Sequence, residues 1–135
     1  MKTILLSCVL VLGLGVDSHN ELIRTTLTDY INWTTTGQFN SSSKIFSDMI
    51  DLTYQVSPDE FLTGSFEDYR AKIQSGAKTI SRTMNIKSLQ ITDKKAMAIL
   101  TDCSTEHFFS LVHHLTLMSN GDSWKIESIS ISMAE

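Results

Sequence analysis

The C-terminal third of the chain alternates apolar and polar residues in two long runs, which is typical of strands with one buried face. The runs extend from His107 to Met118 and from Trp124 to Met133. Asn120 and Gly121 lie between them, and Asn-Gly is the strongest short signal for a hairpin turn. The end of the chain therefore predicts a large antiparallel hairpin, and the earlier elements must pack on it.

A helical period appears nearer the N-terminus. The capping box Ser18-x-x-Glu21 predicts the start of a helix, and Gly37 is placed to end it. The apolar face of this helix comprises Ile23, Leu27, Tyr30 and Ile31, with Trp33 beside it. A helix with one apolar face must lie on a flat partner, and the terminal hairpin supplies that surface.

In the middle of the chain, segments with the helical spacing of apolar residues are followed by segments with the alternation of a strand. Its predicted elements are a short helix at Ser41–Asp48, a strand at Ile50–Val56, a short strand at Phe61–Leu62, a helix from Ser65 to Gly76, and strands at Thr79–Ile91 and Lys95–Ser104. The parity of the apolar residues shifts between Ile86 and Leu89, which predicts a bulge. Helices early in the chain and strands late in it indicate an α+β fold. We expect a cone in which a curved antiparallel sheet wraps around the first helix.

The first 18 residues have the pattern of a signal peptide. Lys2 precedes an apolar run of roughly 11 residues, which is shorter than the roughly 20 that a membrane span needs. Gly13-Leu14-Gly15 and Val16-Asp17-Ser18 both fit the pattern of two small residues separated by one position that a signal peptidase recognises. An uncleaved anchor or a buried strand are the alternatives. Cys8 lies inside the apolar run rather than after it, which does not favour a lipoprotein. The sequence therefore predicts an exported protein with a domain at 19–135.

Composition and motifs narrow the function further. The chain has 135 residues and a net charge of −4, which argues against a nucleic-acid binder. Without the leader, Cys103 is the single cysteine, so an intramolecular disulfide is not expected. The sequence holds no phosphate loop, no Gly-x-Ser-x-Gly and no spacing typical of a metal site. We therefore predict neither a metal nor a cofactor.

The order of these elements resembles the nuclear transport factor 2-like superfamily, and within it the putative lumazine-binding and SnoaL-like exported proteins of bacteria. The matching stretches are Leu27–Ile31 with Gly37, Ile45–Phe46, Gly64–Tyr69, Ile86–Ile91, His114–Leu117 and Gly121–Ile126. They cover nearly all of the chain after the leader. The resemblance implies the cone fold far more than it implies a ligand.

The same superfamily includes ketosteroid isomerases, which use an aspartate base and an oxyanion hole made by a tyrosine and a protonated carboxyl group. Tyr30 matches that tyrosine by its distance from Gly37. Tyr54 stands where the base is expected, and His113 stands where the second donor is expected. One of three roles is matched, so the resemblance argues against isomerase chemistry, and we predict no catalytic residue.

We instead predict a pocket for a small planar or apolar ligand. His113 shares the inward parity of Leu111 and Leu115, and aromatic residues on other elements can join it. The predicted ligand-binding residues are Tyr30, Trp33, Phe46, Tyr54 and His113. The same aromatic residues also fit an ordinary core.

The opposite parity on the last hairpin predicts a partner surface. Its outward residues are Val112, His114, Thr116 and Met118. Because a small domain rarely leaves a broad apolar face in water, we expect a homodimer through this face. The interpretation that follows is a non-enzymatic domain that binds a ligand or dimerises. The alternatives are an enzyme of isomerase or cyclase type that uses Tyr30 and His113, and a module that recruits another protein.

Overall fold

Segments with a helical period and segments with a period of two form helices and strands in a computed structural model. The structure describes residues 3–37, 45–76, 82–104 and 109–134. This part of the chain forms two helices and six strands. The helices are α1 (Thr3–Thr36) and α2 (Phe66–Gly76), and the strands are β1 (Phe46–Ser57), β2 (Glu60–Gly64), β3 (Thr83–Thr92), β4 (Lys95–Ser104), β5 (Phe109–Ser119) and β6 (Trp124–Met133). The elements follow the order α1, β1, β2, α2, β3, β4, β5, β6.

The six strands form one curved sheet in the order β2-β1-β6-β5-β4-β3. Neighbouring strands are antiparallel except β1 and β6, which run parallel. The sheet is therefore mixed, whereas an antiparallel one was expected. The α+β class and the cone-shaped architecture are confirmed.

Local sequence signals explain most of the turns. Asn120 Oδ1 accepts hydrogen bonds from the backbone N–H groups of Asp122 and Ser123, which closes the β5–β6 hairpin. The predicted bulge in β3 is confirmed, because its register with β4 shifts between Ile86 and Ser88. The N–H of Asp68 donates to Ser65 Oγ at 3.1 Å, so Ser65 is the N-cap of α2.

Helix α1 ends as predicted but begins elsewhere. Gly37 has a φ of 77°, and its N–H donates to the Trp33 carbonyl at 2.7 Å. This is the left-handed C′ position that favours glycine. The prediction that Ser18 starts the helix is wrong, because α1 continues unbroken from Thr3. The segment before Ser18 contains no proline, so nothing there interrupts the backbone hydrogen bonds. None of the described helices combines the length and the apolar content that a membrane crossing requires.

The predicted short helix at Ser41–Asp48 is also wrong where the structure describes it. Residues 41–44 lie outside the described residues, and from Phe46 onward the chain is strand β1. The apolar residues Ile45 and Phe46 fall within the range of the predicted helix. They are buried because β1 pairs with β6, with Phe46 opposite Ile126. Two apolar residues at the start of an element fit either period.

The core lies between the two helices and one face of the sheet. Helix α1 contributes Ile23, Leu27, Tyr30 and Trp33, and α2 contributes Tyr69 and Ile73. The sheet contributes Leu52, Ala96, Ala98, Leu100, Leu115, Leu117, Trp124, Ile126, Ile129 and Ile131 among others. Burying one large apolar side chain stabilises a fold by about 1.5–3 kcal/mol, so the face of α1 that meets the sheet is a major source of stability.

The two faces of the central strands differ sharply. On β5, His113 is buried and His114 is exposed, as their parity predicted. On β4, Ala98 and Leu100 are buried, whereas Met97 is more than half exposed. The inward face supplies the candidate site described next, and the outward face stays accessible in the single chain.

Candidate functional site

A chain of hydrogen bonds runs through the core from helix α2 to the sheet. Tyr30 Oη on α1 lies 2.8 Å from Tyr69 Oη on α2 and 2.8 Å from His113 Nδ1 on β5. Tyr30 and His113 are therefore in direct contact within the core. The rings of Tyr30 and His113 lie edge to face, with centroids 5.8 Å apart.

His113 is joined to an ion pair on its other side. His113 Nε2 lies 2.8 Å from Asp102 Oδ2. Arg82 contacts both oxygens of this carboxylate, through Nε at 3.0 Å and Nη2 at 2.9 Å. Arg82 Nη1 also donates to the Thr34 carbonyl at 2.7 Å, near the end of α1. One arginine thus connects the sheet to the helix that lies on it.

The register of the sheet explains why these groups meet. Asp102 shares the inward face of β4 with Leu100, which lies opposite His113 on β5. Residues one strand over and two positions along lie about 7–8 Å apart at their Cα atoms, within reach of long side chains. The same diagonal relation joins Arg82 to Asp102, because Met84 lies opposite Asp102.

Burial and pairing set the charges of the site. Burial lowers the pKa of His113, and this effect outweighs the attraction of Asp102 for a protonated ring. Burial by itself raises the pKa of Asp102. The hydrogen bonds from His113 and Arg82 have the opposite and larger effect, so the pKa of Asp102 is lowered. At neutral pH the site therefore holds a neutral histidine between an aspartate anion and a tyrosine.

The two tyrosines remain protonated over the same range. Burial raises the pKa of Tyr30 well above its ordinary value, and the neighbouring Tyr69 raises it further. Burial likewise raises the pKa of Tyr69. Neither hydroxyl can ionise readily, so both act as hydrogen-bonding groups and not as charges.

A small pocket opens beside this hydrogen-bonded chain. It has a volume of about 180 Å³. Its lining residues are Tyr69, Ile73, Arg82, Asp102, Leu111, His113 and Ile131. Three aliphatic side chains thus face four polar ones, a composition typical of a ligand site.

The structure brings four of the five predicted ligand-binding residues into one cluster. The ring centroids of Trp33 and Phe46 are 5.2 Å apart, and Tyr30 lies 6.0 Å from Trp33. His113 contacts Tyr30 as described above. Tyr54 stands apart on β1, with its ring 6.4 Å from Tyr69. Of the five, His113 is the one that lines the 180 Å³ pocket, and the ligand-binding role of all five stays a prediction.

Sequence reasoning missed Asp102, Arg82 and Tyr69. Asp102 carried a usable signal, because it continues the inward alternation of Ala96, Ala98 and Leu100 and is therefore a carboxylate at a core position. Tyr69 lies on the apolar face of α2 but had no predicted partner. Arg82 precedes β3 and shows no pattern in the sequence that distinguishes it.

The chemistry available to this arrangement is limited. Both nitrogens of His113 are occupied by Asp102 and Tyr30, so neither is free to take a proton directly from a bound molecule. Among the described residues, no group of three or more histidines, cysteines and carboxylates could hold a metal ion. The site is suited to hydrogen bonding at the edge of an apolar pocket.

The chain matches the model of a family described as "Putative lumazine-binding" over residues 18–129. A comparison with curated proteins gives no match. The family match spans the second half of α1 and most of the sheet, so it covers the elements that build the site.

Solved structures share the fold at low sequence identity. A nuclear transport factor 2-like protein of unknown function from Silicibacter pomeroyi superposes with a TM-score of 0.75 and 18% identity, over 88% of this chain and 98% of that one. A similar protein of unknown function from Shewanella baltica gives 0.73 and 12%, over 87% and 95%. A protein from Streptomyces avermitilis called a putative dehydratase gives 0.62 and 12%, over 87% and 97%. These likenesses establish the nuclear transport factor 2-like fold.

Proposed function

The chain belongs to the "Putative lumazine-binding" family, and from this premise we propose that it binds a small ligand in the 180 Å³ pocket without catalysing a reaction. The observation that carries the proposal is the pocket itself. Three of its lining side chains are aliphatic and four carry polar groups: Ile73, Leu111 and Ile131, and Tyr69, Arg82, Asp102 and His113. Ligand sites combine these two features.

The engagement of the polar groups supports the proposal that no reaction is catalysed. A general base needs an acceptor atom within reach of the substrate proton. His113 accepts from Tyr30 through Nδ1 and donates to Asp102 through Nε2, so a bound molecule can pass a proton to it only through the hydroxyls of Tyr69 and Tyr30. Asp102 is held as an anion by Arg82 and His113, which makes it a weak base.

A binding screen with a blocked pocket tests the proposal. Lumazine and a panel of small aromatic compounds are titrated against the protein by thermal shift and calorimetry. Leu111→Trp should fill the pocket and abolish binding. Leu62→Trp, on the exposed side of edge strand β2, is the matched control and should bind normally. The proposal fails if no compound binds, or if the Leu111→Trp variant retains the affinity of the unmodified protein.

One observation favours a second candidate, an isomerase- or cyclase-type enzyme. Continuous hydrogen bonds connect Tyr69, Tyr30, His113 and Asp102. A proton could move along them from the pocket to the histidine. In that case turnover of a bound carbonyl compound should depend on His113 and disappear in His113→Ala. Binding with no turnover in the unmodified protein would exclude this candidate for the compounds tested.

We also propose a homodimer through the outward face of β4, β5 and β6. The outward positions in the centre of this face are Met97, Ile99, Thr101, Cys103, Ser110, Val112, His114, Thr116, Ser128, Ser130 and Ser132. None of these central positions is Asp, Glu, Lys or Arg, whereas Met118, at the hairpin end of the same face, lies between Lys95 and Lys125. A second copy can lie against such a surface without burying an unpaired charge.

Light scattering at micromolar concentration tests the dimer. Twice the chain mass is expected. Val112→Glu places a carboxylate at the centre of the face and should yield monomers, whereas Leu62→Glu at the sheet edge should not. A monomer in the unmodified protein would refute this part of the proposal.

Finally, we propose that residues 1–18 are a signal peptide and that the domain acts outside the cytoplasm. The support is the positive start, the apolar run and the small residues near Gly15 described above. Intact mass of the protein recovered from the periplasm or medium should correspond to cleavage between Gly15 and Ser18. A mass that retains Met1 to Leu12 would refute it.

A further inference from the structure

The hydrogen bonds of the buried chain can run in only one direction at neutral pH. A carboxylate accepts hydrogen bonds and donates none, so the 2.8 Å contact with Asp102 Oδ2 places the single imidazole proton on His113 Nε2. Nδ1 is then an acceptor. The 2.8 Å contact between Nδ1 and Tyr30 Oη therefore requires Tyr30 to donate.

The same count extends to the pocket. A tyrosine has one hydroxyl proton. Tyr30 gives its proton to His113, so in the 2.8 Å contact between the two hydroxyls Tyr69 must be the donor. Tyr69 lines the pocket, and its proton is already committed. A group that forms a hydrogen bond to Tyr69 Oη from the pocket must bring its own proton.

The charges of the lining select against ions. Arg82 and Asp102 neutralise each other through two short contacts, and burial keeps His113 neutral. The lining therefore carries no net charge. An anionic ligand would face Asp102 and a cationic one would face Arg82, and each would lose hydration without a free counter-charge.

The volume limits the size of the enclosed part of a ligand. A cavity of about 150 Å³ is enough to hold benzene in a protein core. The pocket measures about 180 Å³ and is open to solvent on one side, so it has room for one aromatic ring with a small substituent. Ile73, Leu111 and Ile131 provide the apolar contacts for such a ring.

We infer that the pocket takes an uncharged single-ring compound of the phenol class, whose O–H or N–H group donates a hydrogen bond to Tyr69 Oη. This inference rests on the proposed binding function and specifies its ligand. Tyr30, which does not line this pocket, acts as a positioning residue because it holds the proton of Tyr69 away from the ligand.

The test compares phenol with two analogues that lack the proton. Methoxybenzene retains the oxygen as an acceptor, and fluorobenzene retains the size. Each is titrated by two-dimensional NMR at pH 8, where His113 and phenol are both neutral. Phenol should bind about tenfold more tightly than either analogue, which is the worth of one buried hydrogen bond.

Two variants separate the direction of hydrogen bonding from general packing. In Tyr30→Phe the proton of Tyr69 has lost its acceptor and can be donated to methoxybenzene, so the preference for phenol over methoxybenzene should fall severalfold. Thr26→Val is the matched control. It removes another buried hydroxyl of α1, which bonds to the Leu22 and Trp124 carbonyls, and it should leave the preference unchanged.

The imidazole ¹⁵N resonances of His113 provide a readout that needs no variant. They should show a proton on Nε2 and none on Nδ1, and a proton on Nδ1 at pH 8 would overturn the inference. Equal or tighter binding of methoxybenzene to the unmodified protein would also overturn it, while leaving the proposed binding function intact. If neither these compounds nor any other of the panel bind, both the inference and the proposed function fall.

Discussion

Replacing Arg82 by Met should destabilise the domain by about 3–5 kcal/mol, the usual cost of leaving a buried charge without its partner. The side chains of Arg82 and Asp102 are only 10% and 2% exposed. The guanidinium contacts both carboxylate oxygens and the Thr34 carbonyl. Met has a similar length and no charge, so Asp102 would keep His113 as its one partner.

Urea denaturation followed by tryptophan fluorescence measures this loss directly. Domains are typically stable by 5–15 kcal/mol, so the midpoint should move far toward low urea. The double variant Arg82→Met/Asp102→Leu removes both charges and should be more stable than Arg82→Met. Arg70→Met is the control, because Arg70 lies 4.0 Å from Glu67 and the two side chains are 38% and 79% exposed, and a pair in contact with solvent contributes at most about 1 kcal/mol.

Two results would contradict this reasoning. If Arg82→Met costs no more than Arg70→Met, then the buried carboxylate does not depend on its arginine. If the double variant loses the sum of the two single losses, then the two side chains do not stabilise each other. Either result would also weaken the assignment of a neutral lining to the pocket.

Three further predictions follow from single contacts. Stability should fall as the pH drops below 6.5, because His113 binds a proton in the unfolded state and not in the folded state. It should fall again below 3.8, because the pKa of Asp102 is also lowered in the folded state. His113→Gln should remove the step at higher pH when unfolding is measured as a function of pH. A Cβ at Gly64 would overlap the outer end of the Tyr54 ring. Because this ring is only partly buried and can move aside, Gly64→Ala should cost about 1 kcal/mol at most in urea denaturation, and less in a Tyr54→Ala background. Ser65→Ala removes the N-cap of α2 and should cost about 1 kcal/mol, and no loss would show that α2 does not depend on its cap.

The sequence by itself determined the elements whose signals are local. The period of two and the Asn-Gly pair predicted the last hairpin, and Gly37 predicted the end of α1 at a positive φ. The inward parity of His113 and the outward parity of His114 followed from the alternation of a strand. Such features depend on residues close together in the chain, so they can be predicted from the sequence.

The partners of His113 were decided only by the tertiary structure. Asp102 reaches His113 because β4 and β5 pair in one register, and a shift of one residue would turn the carboxylate outward. Tyr69 reaches Tyr30 because α2 packs beside α1, 39 residues away in the chain. Phe46 became a strand residue through its pairing with β6, although its neighbours also fit a helix. Contacts between distant segments depend on register and packing, and no local period specifies either of them.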